Sequence, residues 1–102
     1  MPRLIWTQPA LRDLNRLHEF LAAHDRKIAN RAVEAIRLGV KPLKSYPRLG
    51  RLLEDADNEA RQWYVGFGQS GYVIPHQVEL TAIYIIGVRH SREEEHHPPT
   101  SN

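Results

Sequence analysis

The sequence predicts an α+β fold in which a helical hairpin precedes an antiparallel sheet. Two amphipathic helical patterns follow one another in the first half of the chain, and the spacing of the apolar residues then changes from about 3.6 to about 2. The chain has 102 residues, 41% of them hydrophobic and 25% charged, which suits one folded domain. We expect that domain to span residues 1–93 and a flexible tail to span residues 94–102.

The first half of the chain predicts one strand and two helices. Arg3–Trp6 is a short β-prone segment. Thr7 and Asp25 stand where N-caps for two helices are expected, and Pro42 should kink or end the second helix near Lys41. The short connection between the helices permits only an antiparallel hairpin. The apolar stripes of the two helices are Ala10, Leu14, Leu17 and Leu21, and Ala29, Ala32, Ile36, Val40 and Leu43.

The second half predicts a three-stranded antiparallel meander, with the N-terminal segment on one edge of the sheet. The strands are Arg61–Phe67, Tyr72–Val78 and Ala82–Val88, and Gly68–Gly71 forms the first hairpin connection. The third strand carries apolar residues on both faces. Pro75 lies in the central strand and cannot donate to its ladder, so we expect a bulge or a local loss of pairing there.

Composition and charge exclude several classes of protein. The chain has no cysteine, which rules out disulfides and thiolate metal sites, and no other pattern indicates a metal or a cofactor. No apolar run is long enough to span a membrane, so we expect a cytoplasmic protein without membrane contact. Residues 1–53 carry eleven Lys/Arg against four Asp/Glu, whereas residues 54–102 carry three against eight. The basic first half could meet an acidic peptide or a nucleic acid, or its charges could be solvated helix faces.

Three stretches of the sequence resemble the RelE/ParE toxin superfamily, over roughly residues 3–93. The first is Ala10-x-x-x-Leu14, and the second is the connector Pro47-Arg48-Leu49-Gly50-Arg51. The third combines Arg61-Gln62-Trp63-Tyr64-Val65 and Gly71-Tyr72-Val73-Ile74 with the closing segment Ile83-Tyr84-Ile85-Ile86-Gly87-Val88-Arg89-His90-Ser91-Arg92-Glu93.

This resemblance implies a plasmid-stabilisation toxin of a type II toxin-antitoxin system, neutralised in a hetero-oligomer by a cognate antitoxin. Family members are covered by an antitoxin segment that lays a helix and a strand over the toxin. Trp63, Tyr64 and Tyr72 are the candidate antitoxin anchors, although Trp63 is equally well explained as a core residue. His76 stands where many relatives carry an aromatic residue, and we expect it to be partly buried and hydrogen-bonded.

The resemblance also offers two targets, because RelE-like members cleave mRNA on the ribosome and ParE-like members poison DNA gyrase. Cleavage needs a base, an acid and cations, and the candidates Arg61, Arg89, His90 and Arg92 could converge at one rim of the sheet. No lysine follows Lys44, and Glu93–Glu95 would repel an RNA backbone.

These features favour the ParE-like branch, in which Arg61, Arg89 and Arg92 contact gyrase and no residue is catalytic. Whether the chain is an enzyme stays open at this point. A third possibility is a degenerate member that binds antitoxin without being toxic, which the unusual Pro75-His76 pair and Glu93–Glu95 would suit.

Overall fold

A computed structural model of the chain describes residues 2–53 and 59–92. Its order of strand, helical hairpin and antiparallel strands is the predicted one, which confirms the α+β class. The expected tail at residues 94–102 lies outside the described ranges. The elements are β1 (Arg3–Trp6), α1 (Gln8–Ala22), α2 (Arg26–Gly39), α3 (Pro42–Ser45), β2 (Arg51–Leu52), β3 (Glu59–Phe67), β4 (Ser70–Val78), β5 (Ala82–Ile85) and β6 (Arg89–His90).

Both helices of the hairpin begin at the predicted caps. The hydroxyl of Thr7 accepts a hydrogen bond from the backbone N–H of Ala10 (3.4 Å) at the start of α1. The carboxylate of Asp25 accepts from the N–H groups of Lys27 (2.9 Å) and Ile28 (3.2 Å) at the start of α2. Each cap satisfies N–H groups that have no partner inside their own helix. In the described ranges, no helix combines the length and the apolar character that spanning a membrane requires.

The strands form one sheet in the order β1-β5-β4-β3-β2. β1 pairs with β5 in parallel, so the predicted position of the N-terminal strand beside the meander is confirmed. β3 and β4 pair without interruption from Glu59↔Val78 to Phe67↔Ser70, and only Gly68 and Gln69 connect them. The short strand β2, which the sequence did not predict, pairs with β3 on its other side.

The third strand of the meander is shorter than predicted, and Pro75 explains why. Residues that flank a two-residue hairpin loop form a hydrogen-bonded pair, so alternation along the ladder directs the backbone of Pro75 away from β3 and toward β5. The register of β3 and β4 therefore needs no bulge, whereas the β4–β5 ladder stops at His76↔Ile85. Beyond this pair, the N–H of Ile86 still donates to the backbone oxygen of Pro75 (2.9 Å). Pro75 has no N–H with which to donate a second hydrogen bond to Ile86.

The chain that leaves β5 is held by a helix side chain before it rejoins the sheet. Val88 N–H donates to the carboxylate of Asp13 on α1 (3.0 Å). The chain then pairs with β4 again as β6, at Tyr72↔His90 and Val73↔Arg89. The predicted strand Ala82–Val88 is thus too long, because β5 ends at Ile85 and a separate short strand, β6, follows the break.

The core lies between the hairpin and one face of the sheet. Alternation along β3 confirms the predicted two faces, because Val65 is buried while Tyr64 and Gly66 are exposed. The buried cluster draws on both helices and on the inward residues of the strands. Its members are Ala10, Leu14, Ala32, Ile36, Val40, Leu43, Val65, Tyr72, Ile74, Ile83, Ile85 and Val88.

Gly39 allows the end of α2 to approach β3 closely. A Cβ at this position would lie 2.6 Å from a methyl carbon of Val65. The indole N–H of Trp63 donates to the backbone oxygen of Gly39 (2.8 Å), which closes the same contact. The glycine weakens the helix locally, but it permits the packing of α2 on the sheet.

Gly39→Ala is expected to lower the free energy of unfolding by about 1–3 kcal/mol, because the added methyl group overpacks the contact with Val65. This loss should outweigh the better helix propensity of alanine, about 1 kcal/mol. Urea unfolding followed by circular dichroism measures it. In a Val65→Ala background the penalty should largely disappear, and an equal penalty in both backgrounds would contradict the packing account.

Candidate interaction surface

Arg61 holds the connector between α3 and β3 in place. Its guanidinium donates to the backbone oxygen of Gly50 (3.1 Å), and the side chain is half-buried. Gly50 has a φ of 94°, and a Cβ there would lie 2.3 Å from the backbone oxygen of Gln62. Only glycine fits this close approach. The position of Arg61 therefore has a structural cause that is independent of any ligand.

His76 lies opposite Arg61 on β4 and is fully buried, whereas the sequence predicted partial burial. Its Nδ1 donates to the backbone oxygen of Ile74 (3.1 Å). Within the described part of the chain, Nε2 has no hydrogen-bond partner. Burial lowers the pKa of the His76 imidazole, and the charge of Arg61 lowers it further, whereas the Ile74 carbonyl opposes the shift. The ring is therefore neutral in the folded protein near pH 7.

His90 lies at the other end of β4, near the tip of the hairpin. Its Nδ1 accepts the backbone N–H of Arg92 (3.0 Å), and its Nε2 lies 3.0 Å from the hydroxyl oxygen of Ser70. A neutral ring whose Nδ1 accepts must carry its proton on Nε2. The Nε2 atom therefore donates to Ser70, and the edge of the His90 ring also meets the ring of Tyr72, with 5.4 Å between the centroids.

The sheet does not bring Arg61 and His90 to one rim. Arg61 pairs with His76, and His90 pairs with Tyr72, four residues away on the same strand. That spacing corresponds to roughly 13 Å along a β-strand. The expected convergence fails because β3 begins at the rim far from the hairpin, whereas β5 and β6 run antiparallel to β4 and end at the hairpin rim. Arg89 and Arg92 remain with His90 at the hairpin end, so the four sequence candidates form two separate groups.

The three aromatic candidates for antitoxin contact fall on different sides of the sheet. Trp63 faces the helices, where its indole bonds to Gly39, and Tyr72 is 4% exposed in the core. Burial raises the pKa of the Tyr72 hydroxyl. Tyr64 points to the opposite side and is 52% exposed. A Cβ at Gly71 would lie 2.6 Å from the Tyr64 hydroxyl oxygen, so this ring extends across β4.

The side of the sheet that faces away from the hairpin carries a second set of apolar residues, which we call the outer face. Tyr84 (36% exposed) and Ile86 (41% exposed) share it with Tyr64. Neither residue is among the site candidates that the sequence predicts, although the apolar character of both faces of the third strand was a usable signal. By strand alternation and pairing, the outer face comprises Arg3, Ile5, Arg51, Ala60, Gln62, Tyr64, Gly66, Gly71, Val73, Pro75, Gln77, Ala82, Tyr84, Ile86 and Arg89.

A separate apolar cavity of about 650 Å³ lies between α1 and the tip of the β3–β4 hairpin. Phe20 from α1 and Phe67 from β3 line it, together with His90 and Arg92. Such a cavity can accept side chains of a partner. No three His, Cys, Asp or Glu side chains in the described part of the chain are placed to hold a metal ion, and the pair His96 and His97 lies outside it.

Known proteins resemble this chain in sequence and in fold. A family model described as the ParE toxin of the type II toxin-antitoxin system parDE matches residues 4–95. Toxin RelE3 of Caulobacter vibrioides is 34% identical over 84 residues, which cover 82% of this chain and 88% of that protein. A solved structure of the chromosomal ParDE system from P. aeruginosa has a similar fold, with a TM-score of 0.72 at 22% identity. That match covers 88% of this chain and 96% of the other.

The depressed pKa of His76 should make the protein less stable as the pH falls. Between this pKa and about 6.5, the unfolded chain binds a proton that the folded chain does not. The free energy of unfolding should therefore decrease below about pH 6.5, by at most about 1.4 kcal/mol per pH unit from this group. His76→Gln should remove that part of the slope in urea unfolding between pH 5 and pH 8. Identical slopes for the wild type and the variant would contradict the assignment.

Proposed function

The chain belongs to the ParE toxin family of type II toxin-antitoxin systems, and on that basis we propose that it arrests growth by binding DNA gyrase. A cognate antitoxin would neutralise it in a hetero-oligomeric complex. The toxin would then be a protein ligand and not an enzyme. It would act in the cytoplasm, where its target works, with residues 1–93 as the single functional domain.

The outer face is the observation that supports this proposal best. The hairpin covers one side of the sheet, and the other side presents Tyr64, Tyr84 and Ile86 to solvent. An exposed aromatic and aliphatic patch on a small protein is typical of a protein-binding surface. Tyrosine is also enriched among the residues that contribute most to protein–protein affinity.

The same face is poorly suited to RNA. A surface that binds a phosphate backbone needs cations where the phosphates lie, and the resemblance implies a Lys- and Arg-rich sheet for ribonuclease members. The outward positions of β3, β4 and β5 instead carry amide, glycine, proline, aliphatic and tyrosine side chains. The arginines that share this face, Arg3, Arg51 and Arg89, belong to β1, β2 and β6, outside the three central strands.

The arrangement of residues at the hairpin end also gives little support to RNA cleavage. A general base needs a free lone pair aimed at the proton that it removes. The hydrogen bond from Arg92 N–H occupies Nδ1 of His90, and Nε2 carries the proton. Arg61, which was to supply a cation, lies at the far end of β4. In this tautomer His90 could act as a general base only after a rearrangement of this segment.

Ribosome-dependent mRNA cleavage remains the second candidate, because one relative is named Toxin RelE3 and the hairpin end groups Ser70, His90 and Arg92 beside a cavity. The two candidates differ in what they require of His90. If the chain binds gyrase through the outer face, His90→Ala should arrest growth as the wild type does. If the chain is a ribonuclease, the same variant should lose cleavage and still bind its antitoxin.

Of the three aromatic candidates, we propose that Tyr64 contacts the antitoxin, because its side chain is exposed on the outer face. Trp63 and Tyr72 would contribute indirectly, by shaping the helix-facing side of the sheet. A partner that covers Tyr64 would also cover part of the outer face. Neutralisation would then follow from occlusion, since the antitoxin and the target would compete for one surface.

The double variant Tyr64→Ala, Tyr84→Ala should weaken inhibition of gyrase supercoiling by at least about tenfold, since each change removes an exposed aromatic anchor. Tyr46→Ala is the matched control, because Tyr46 is 66% exposed and follows α3, outside the strands that form the outer face. Thermal unfolding should show that both proteins remain folded. Full inhibition by the double variant would contradict the proposed surface.

A further inference from the structure

A groove of about 820 Å³ lies between β1 and the segment that runs from the second half of α2 into α3. Its volume falls within the range of sites that hold small molecules, roughly 300–1,000 Å³. The groove shares no lining residue with the cavity at the hairpin tip. None of the residues proposed above for target or antitoxin contact lines it, so the proposed function leaves this groove unused.

One wall of the groove is apolar and contains an indole ring. Leu4 and Trp6 point to the same side of β1, and Leu38 lines the groove from α2. The two β1 side chains are partly exposed and pack against the core, so their positions are fixed. Leu38 is 52% exposed. The groove therefore offers a ligand a preformed aromatic surface with aliphatic side chains beside it.

The backbone of β1 adds polar groups beside the indole ring. The N–H of Thr7 donates to the oxygen of Ile85 (3.1 Å), which places this group on the side that faces β5. Because the backbone groups alternate along a parallel ladder, the N–H and C=O groups of Leu4 and Trp6 point to the other side. The described part of the chain places no strand there. These groups can bind the polar edge of a ligand that contacts Trp6.

The rim of the groove is cationic. Arg3, Arg37, Lys41 and Lys44 line it, and Glu34 supplies an acidic side chain among them. All four cations are exposed, and none has an ion-pair partner within the described ranges. Like charges that lie together without partners repel one another, and an anionic ligand would relieve that repulsion.

We propose that this groove binds single-stranded DNA, with one unpaired thymine stacked on Trp6. The phosphates on either side of that base would meet the four cations of the rim. The edge of the base would bond to the open backbone groups of β1, and its methyl group would contact Leu4 and Leu38. This activity goes beyond the proposed binding of gyrase and does not depend on it.

The apolar wall favours an unpaired base over other anionic ligands. A DNA duplex keeps its bases stacked on one another, so it would use the cations and leave Trp6 without a partner. Stacking on an aromatic side chain is the typical way in which proteins hold unpaired bases. Thymine suits an aliphatic wall better than uracil because its methyl group is apolar.

Fluorine NMR on the full chain tests the stacking. The chain has two tryptophans, Trp6 and Trp63, so labelling with 5-fluorotryptophan gives two resonances, which Trp6→Phe assigns. Oligothymidylate of about ten nucleotides should shift the Trp6 resonance, because the base would lie on that ring. The Trp63 resonance is the internal control, since that indole bonds to Gly39 on the helix-facing side of the sheet. No binding, an unmoved Trp6 resonance at saturation, or an equal shift of both would overturn the proposal.

Charge reversal tests the cationic rim with the same oligothymidylate. Arg37→Glu with Lys41→Glu should weaken binding by at least about tenfold at low salt. The slope of log affinity against log salt should also fall by about 1.4, because each lost phosphate contact contributes about 0.7 for a single strand. Lys27→Glu with Arg31→Glu makes the same change at exposed positions of α2 outside the groove and should weaken binding by less than about threefold. Equal effects of the two pairs would overturn the proposal, because net charge alone would then explain the binding.

A comparison of ligands tests the choice of an unpaired thymine. Replacement of thymine by uracil in the same DNA strand should weaken binding by about fourfold, the effect of one buried methyl group. A duplex of equal length, or an oligoglutamate peptide, should bind at least about tenfold more weakly than oligothymidylate. Equally tight binding of either would overturn the proposal, and so would tighter binding of oligouridylate RNA. None of these measurements involves gyrase or an antitoxin, so a failure of the proposed function would be distinguishable from a failure of this inference.

Discussion

One missing backbone N–H interrupts the sheet in the second half of this chain. Pro75 can accept a hydrogen bond from Ile86 but cannot return one, so the ladder between β4 and β5 stops. The chain then depends on the carboxylate of Asp13 before it pairs with β4 again. The detour shifts the register by one residue, because His90 lies opposite Tyr72 and the β4–β5 register would place it opposite Gly71. His90 and Arg61 lie at opposite ends of β4 in either register, because β5 and β6 run toward the hairpin.

The helical hairpin covers only one side of the sheet, so that side forms the core and the other side is exposed. Gly39 lets α2 pack against β3 at a distance that no larger residue permits, and the hairpin then closes over the inward side chains. Tyr72 and Tyr64 lie on neighbouring strands and have the same chemistry, yet one is core and the other surface. The exposed tyrosines and Ile86 on the uncovered side support the proposed binding of a protein target, and β3, β4 and β5 carry no cation on that side.

Local chemistry made much of the fold predictable from the sequence. Thr7 and Asp25 could be predicted as N-caps because a short polar side chain can cap a helix without any tertiary contact. The alternation of side chains along a strand is enough to place Trp63 and Tyr64 on opposite faces of the sheet. The candidate site was harder to predict, because it depends on long-range pairing. Sequence alone could not show which face the helices cover, how the chain continues after Pro75, or that Arg61 donates to the backbone oxygen of Gly50.

Expression of this chain alone in a bacterial host tests the central claim most directly, with a DNA-damage reporter and bulk protein synthesis followed together. A toxin that binds gyrase should induce the damage response early while translation continues. Arrest of translation without a damage response would contradict the account and would direct attention to His90 and the arginines around it.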